Sequence, residues 1–166
     1  AAAEYLSQTY FDQYGLPIVI ARAFNHTGPG QEPNFVIPSF CRKIVAAERS
    51  GGKKPVMVGN LAVARDLSDV RDIVRGYRML AEKGTSGTAY HLCRGKAFKI
   101  GDILNKLRGF SDIKITVKRD LKLMRKSDIP ILRGSFAATR REIGWKPAID
   151  IDTTLADTLA YWRNHI

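Results

Sequence analysis

The sequence predicts an α/β fold built on parallel strands, and three observations carry that expectation. Residues 17–24 read Pro-Ile-Val-Ile-Ala-Arg-Ala-Phe, a nearly continuous apolar run rich in β-branched side chains, which suits a strand covered on both faces. A turn-rich segment follows at once, and then a helix, giving a strand–loop–helix unit. Along the rest of the chain, strand-like runs alternate with stretches whose apolar residues recur at helical spacing.

Residues 1–14 are rich in helix formers and set Ala3, Leu6, Tyr10 and Tyr14 on one stripe before Gly15 and Pro17 end the helix. No Ser, Thr, Asp or Asn precedes them to cap the first turn. A frayed end would look like this; a helix entered part-way is the sharper reading. After the strand of residues 17–24 and the loop of residues 25–31, Pro38 is tolerated in a helix's first turn, and Ile37, Phe40, Cys41, Ile44 and Val45 share one face. A loop over residues 49–54 leads to short strands at 55–58 and 64–67. Asp69 then caps a helix expected to carry Val70, Ile73, Val74, Tyr77 and Leu80 inward. Residues 88–93 predict a buried strand, 100–107 a short helix, and 113–118 a half-exposed strand. A charged loop spans residues 125–130, a helix over 139–143 stops at Gly144, and a last helix from about Thr153 aligns Leu155, Leu159 and Trp162. No repeat or long linker interrupts the pattern, so residues 1–166 are expected to form one unit.

The 166 residues are 45% hydrophobic, and a chain of this length buries roughly 70% of its unfolded surface, enough for a core without cross-links. No apolar stretch approaches the ~20 residues needed to cross a bilayer, and the first ten residues have no signal-peptide pattern. A soluble, cytoplasmic protein is expected. Cys41 and Cys93 lie in apolar contexts without ligand-spaced partners, so buried thiols are expected rather than a disulfide framework or zinc site. The net charge of +11 sits downstream: residues 1–50 are neutral, 51–100 carry +6 and 101–166 carry +5. Such an excess suits a nucleic acid, a membrane surface or a phosphate-bearing ligand. A nucleic-acid-binding module is disfavoured, because residues 111–130 interleave no aromatic side chain with their basic ones.

Ligands of doubly wound sheets sit beyond the carboxyl ends of strands, which directs attention to Asn25. Its amide can donate to and accept from a sugar hydroxyl or phosphate oxygen, although Asn is also favoured in turns for its own sake. His26, without a carboxylate or nucleophile at a recognisable spacing, reads as structural. Arg65 leaves a short strand ahead of a helix and has the reach to grip a diphosphate bidentately. Asp66, Asp69 and Asp72 read as capping and ion-pairing groups; the adjacent Arg65 and Arg71 compete for them, and no metal site is expected. Arg125 and Asp128 form a third candidate, the cation for a phosphate and the carboxylate for ribose hydroxyls, with a surface ion pair as the plainer alternative. The chain carries no glycine-rich phosphate loop, nucleophile elbow or metalloprotease helix.

Taken in order, residues 22–31 (Arg-Ala-Phe-Asn-His-Thr-Gly-Pro-Gly-Gln), 58–61 (Val-Gly-Asn-Leu), 65–72 (Arg-Asp-Leu-Ser-Asp-Val-Arg-Asp), 125–130 (Arg-Lys-Ser-Asp-Ile-Pro) and 144–147 (Gly-Trp-Lys-Pro) resemble a known family. It is the C-terminal half of the extended short-chain dehydrogenase/reductases, the NAD-dependent epimerase/dehydratase family that modifies nucleotide sugars. The likeness is greatest to GDP-4-keto-6-deoxymannose reductases and GDP-mannose 4,6-dehydratases. The phrase Asn-His-Thr-Gly-Pro looks more like the reductases, since the dehydratases usually read Asn-His-Glu-Ser-Pro. Lys126 in place of a usual Pro, and Gly-Ser-Phe-Ala over residues 134–137 in place of Gly-Asp-x-Ser, depart from the pattern.

The resemblance implies the last parallel strands of a Rossmann-like fold plus a small α/β lobe that closes over a nucleotide sugar, GDP-linked by preference. It assigns Asn25 to the sugar or its phosphates, Arg65 and Arg125 to the diphosphate, Asp128 to the ribose and Val36 to the base. Ala23, Phe24 and His26 would approach the nicotinamide end of NAD(P). The family's Tyr-x-x-x-Lys pair and glycine-rich cofactor loop have no counterpart here, and the lysine would fall just before Ala1. The chain alone is therefore expected neither to bind NAD(P) nor to transfer hydride, to pair with an N-terminal half, and to self-associate.

Overall fold

The computed structural model describes residues 2–124 and 129–166. In chain order the elements are α1 (Ala2–Tyr14), β1 (Ile20–Ala23), β2 (His26–Thr27), α2 (Val36–Arg49), β3 (Val56–Val58), β4 (Ala64–Asp66), β5 (Ser68–Asp69), α3 (Val70–Lys83), β6 (Ala89–Leu92), β7 (Ala97–Lys99), α4 (Ile100–Gly109), β8 (Val117–Arg119), a 3-10 turn (Leu121–Leu123), β9 (Ile131–Leu132), α5 (Ala137–Ile143) and α6 (Ile151–His165). Three parallel pairs, β1–β6, β2–β5 and β3–β8, accompany a three-stranded sheet ordered β7-β4-β9. In that sheet β4 runs antiparallel to β7 and parallel to β9.

Two apolar clusters organise these elements. In the larger one, Ile37, Phe40, Cys41, Ile44 and Val45 of α2 meet Ile103, Leu104 and Leu107 of α4 and Ile151, Leu155 and Leu159 of α6, over Val56 and Val58 of β3. The spacing read from the sequence puts all five α2 residues inside, each fully buried side chain contributing about 1.5–3 kcal/mol. In the smaller cluster, Ile73 and Leu80 of α3 pack with Tyr90 and Leu92 of β6, Ile143 of α5 and Trp145. Gly144 ends α5 in the left-handed conformation, φ 75°, which turns Trp145 inward.

Several expectations are corrected. The strand expected over residues 17–24 is laddered only over Ile20–Ala23, and Ala21 and Arg22 are exposed instead of covered. It pairs only with β6 among the described residues, and the Arg22 guanidinium is drawn out to Glu4 at 2.8 Å. The predicted stripe of α1 lies bare: Ala3 is exposed, as are Leu6, Tyr10 and Tyr14. The inner contact of this helix is made by Phe11, whose ring lies over Gly87. On α3, Val74 and Tyr77 face solvent rather than the core; the inner face runs through Ile73, Gly76 and Leu80. Trp145 and Leu92 crowd Gly76 so closely that a Cβ there would meet Leu92 Cδ1 at 2.8 Å, which fixes the rotation of the helix. The strand expected at 113–118 is laddered as β8, and α6 starts at Ile151, capped by Asp150, rather than near Thr153.

The segment joining β4 to α3 carries three carboxylates that are 0–1% exposed: Asp66, Asp69 and Asp72. Asp66 accepts from the backbone N–H groups of Arg94, Gly95 and Gly134 at 2.7–3.2 Å; it clamps loops and, among the described residues, forms none of the ion pairs expected of it. Asp69 caps α3 through Arg71 N, pairs with the Arg71 guanidinium and accepts from Thr154 Oγ1 of α6. Asp72 pairs with Arg75 and accepts from Ala148 N and Ile149 N, while its carbonyl accepts from Trp145 Nε1. These carboxylates tie α3 to α6 and to the segment carrying Trp145, so a buried charge is never left without donors.

Burial pushes the Asp69 carboxyl up, but hydrogen bonds from Arg71 and Thr154 outweigh it and hold the group below the ordinary value of 3.8. A depressed carboxylate stabilises the fold at neutral pH, and that contribution is lost as pH falls through the folded-state pKa. Asp69→Ala is expected to lower the urea unfolding free energy by about 2–4 kcal/mol at neutral pH. The deficit should shrink below pH 3.8; a pH-independent deficit would contradict the assignment. Burial raises the Cys41 thiol to about 12 and the Cys93 thiol to about 11. Both should resist a disulfide reagent at pH 8 in the native protein and react on unfolding.

Candidate functional site

The two segments singled out by their residues, the loop after β1 and the β4–α3 connection, are neighbours in space. β2 runs parallel to β5 with His26 opposite Ser68 and Thr27 opposite Asp69. Ser68 N donates to the Asn25 carbonyl at 3.0 Å. The loop is held by Thr27 Oγ1 donating to Gln31 Oε1 at 2.7 Å and Gln31 Nε2 donating to the His26 carbonyl at 3.2 Å. His26 Nδ1 lies 2.9 Å from the Phe24 carbonyl, an anchorage that fits its structural reading. Asn25 keeps its side chain exposed, available to a ligand.

Between these segments and the start of α2 opens a cleft of about 440 Å³ lined by Ala23, Phe24, Asn25, His26, Val36 and Arg65, among others. Six of the eight residues assigned to substrate or cofactor from the sequence therefore face one space. Arg125 and Asp128 lie outside the described residues. The chain on either side of them reaches the same region, since β9 pairs with β4, setting Leu132 opposite Arg65, and Leu123 lines the adjoining cavity.

That cavity, of about 380 Å³, shares Asn34, Val36 and Arg65 with the cleft and continues along β3 past Met57, Gly59 and Asn60. Arg65 stands at the junction, half-buried, with Nη1 donating to the Ala64 carbonyl at 2.9 Å and the Ile129 carbonyl at 2.6 Å. A guanidinium carries five donors in a planar fork whose geometry matches an oxyanion. Lys43 enters from α2, its Nζ donating to the Met57 carbonyl at 2.7 Å. Burial pulls its pKa below the ordinary lysine value, against the opposing charge of Asp120. Both cations face the groove, and among the described residues no carboxylate lines either part of it. Among the described residues no group of acids, histidines and cysteines is placed to hold a metal ion.

Sequence reasoning missed Lys43, Asn34 and Asn60. Lys43 lies beside the apolar face of α2 and reads as an ordinary surface lysine. Its neighbour β3 contributes through a backbone carbonyl, which leaves no signature in side-chain spacing.

The model of the family described as GDP-mannose 4,6 dehydratase matches residues 1–158. The GDP-6-deoxy-D-mannose reductase of Pseudomonas aeruginosa is 33% identical over 165 residues, which is 99% of this chain and 54% of the relative. UDP-glucuronate 4-epimerase 2 of Arabidopsis thaliana is 29% identical over 99% of this chain and 40% of its own length. Among solved structures, that of RMD from Pseudomonas aeruginosa complexed with NADPH superposes with a TM-score of 0.92 at 33% identity, covering 99% of this chain and 55% of the other. A UDP-glucuronic acid 4-epimerase from Bacillus cereus superposes with a TM-score of 0.88 at 19% identity, covering 99% and 51%, which speaks for the fold alone. The chain thus spans about half the length of the relatives it matches, and its fold is the Rossmann-like α/β arrangement of their C-terminal part. With the family model covering nearly all of it, the chain belongs to the GDP-mannose 4,6-dehydratase family of nucleotide-sugar epimerases, dehydratases and reductases.

Proposed function

We propose that this chain is the substrate-gripping part of an NAD(P)-dependent nucleotide-sugar reductase that acts on a GDP-linked 4-keto-6-deoxy sugar. The observation that carries this reading is the continuous groove in which Asn25, Val36 and Arg65 meet, with no carboxylate among its described lining residues. The length of the groove suits an elongated ligand. A base lies along β3 and Val36, Arg65 takes the diphosphate at the junction, and the sugar extends towards Asn25 and the end of β1. Arg125 and Asp128 join the diphosphate and ribose on the strength of the family resemblance. Lys43 adds a further cation beside the base or its phosphates.

At the carboxyl end of β1, Ala23 and Phe24 present small and flat apolar surfaces to the cleft, with His26 beside them, a set that fits a nicotinamide ring. NAD(P) bound there would supply or remove a hydride at C4 of the sugar. The residues of this chain orient the sugar for that step, and the proton-transfer pair belongs to the rest of the polypeptide. The β1 edge that faces away from β6 and the bare face of α1, with Tyr5 79% and Tyr14 66% exposed, support docking of that N-terminal half and further self-association. No described helix is long and apolar enough to cross a membrane.

The second reading, a GDP-mannose 4,6-dehydratase, is favoured by the description of the matching family model. The 33% identity to a reductase and the Asn-His-Thr-Gly-Pro loop favour the first. The two separate in one assay of the protein at its full natural length. A reductase consumes NADPH on a GDP-4-keto-6-deoxymannose substrate, whereas a dehydratase converts GDP-mannose without net cofactor consumption. In calorimetry, Arg65→Ala is expected to weaken GDP binding at least about tenfold with an unchanged thermal midpoint, and Asn25→Ala to weaken a GDP-sugar more than GDP. Unchanged affinity in Arg65→Ala would overturn the site.

A further inference from the structure

Beyond the carboxyl end of β6 lies a separate cavity of about 590 Å³ whose wall includes Arg133, Arg140 and Arg141 together with Gly95, Gly134 and Phe136. None of its lining residues lines the substrate groove, and none is acidic. We propose that this cavity is a second anion site, for a small molecule bearing a diphosphate, distinct from the nucleotide-sugar cleft and independent of the function proposed above.

Several arginines elsewhere in the fold are met by carboxylates. Arg71 pairs with Asp69 and Asp157, Arg75 with Asp72, Arg94 with Asp150 and Arg163 with Glu48. Of the three cavity arginines only Arg141 has a carboxylate, Glu142 at 3.1 Å, in a pair whose arginine is 73% exposed; such a pair is held weakly. Arg133 and Arg140 make no ion pair or side-chain hydrogen bond among the described residues. Three like charges brought to one concave surface, with a single exposed carboxylate beside one of them, repel one another, and a bound polyanion relieves that repulsion.

The floor is built to stay in place. Asp66 receives the N–H groups of both Gly95 and Gly134, and Gly134 sits so close to its surroundings that a Cβ would meet Cys93 Sγ and Phe24 Cζ at 2.7 Å. The Phe136 ring is braced edge-on against Trp145, 6.2 Å between centroids. A rigid floor beneath exposed guanidiniums is a pre-organised oxyanion receptor. The choice of a diphosphate follows from number and volume. Three planar forks, each able to take two oxygens, exceed what one phosphate can satisfy, and the cavity holds more than a single phosphate group. The Phe136 face leaves room for an organic substituent.

Calorimetric titration with inorganic pyrophosphate tests this in the protein at its full natural length, with NADPH saturating the cofactor site and with Arg65→Ala and Arg125→Ala together disabling the diphosphate grip of the cleft. One site is expected to remain, and adding Arg133→Gln and Arg140→Gln together should weaken it at least about tenfold. Arg78→Gln, at an exposed arginine of α3, serves as the control for general charge and should leave it unchanged. ADP, titrated alongside under the same NADPH saturation, distinguishes a nucleoside diphosphate from the free anion: binding tighter than pyrophosphate that is lost with Arg133→Gln and Arg140→Gln assigns the Phe136 wall to an organic group. Absence of a site in the Arg65→Ala, Arg125→Ala protein, or an equal loss in Arg78→Gln, overturns the proposal. Arg78, Arg133 and Arg140 are exposed, so these substitutions should leave the fold intact, and a preserved thermal midpoint checks that they do.

Discussion

Burying three negative charges within seven residues demands an answer from the rest of the fold, and that demand organises this protein. Asp66, Asp69 and Asp72 are all but inaccessible, and a carboxylate in that position is tolerated only when donors surround it. The donors come from far along the chain: Arg94 and Gly95 after β6, Gly134 before α5, Ala148 and Ile149 before α6, and Thr154 within it. Segments distant in sequence are thereby fixed to one strand-to-helix segment. The two apolar clusters supply most of the stabilisation, and the carboxylates decide how the pieces are arranged.

Arg65 immediately precedes that segment, which explains why a long, flexible side chain can serve a binding groove. Its backbone is laddered on both sides, to β7 and to β9, and the next residue is clamped by three N–H groups. The Asn25 loop is joined to the same segment through the β2–β5 pairing. The relative placement of the amide at one end of the groove and the guanidinium in its middle is set by backbone hydrogen bonds rather than by side-chain packing. Such an arrangement limits the entropy lost when a ligand with two charged phosphates is ordered.

Much of this was legible in the residues. The inner face of α2, the Asp69 cap, β6 and the stop at Gly144 follow from local patterns that need no partner. The groove residues were found partly by position after a strand and partly by resemblance. What escaped depends on distant neighbours. β7 and β9 are two or three residues long and exist because β4 lies between them. Val74 and Tyr77 look inward on a helical wheel, yet Trp145, reached only through the chain reversal at Gly144, packs at Gly76 and turns them out. The exposed stripe of α1 satisfies helical periodicity and has no cover among the described residues. The pattern correctly marks an apolar face without saying what it meets. Lys43 was invisible because a half-buried lysine and a surface lysine have the same spacing.

The central claim is that the groove between β3, α2 and the Asn25 loop holds the base and diphosphate of a nucleotide sugar. Photo-crosslinking with an azido-substituted guanine nucleotide sugar, followed by peptide mapping of the adduct, tests it most directly. The label is predicted on the peptides that contain Val36 or residues 57–60. Labelling confined to the arginine-lined cavity beyond β6, or to the basic surface of residues 114–122, would contradict it.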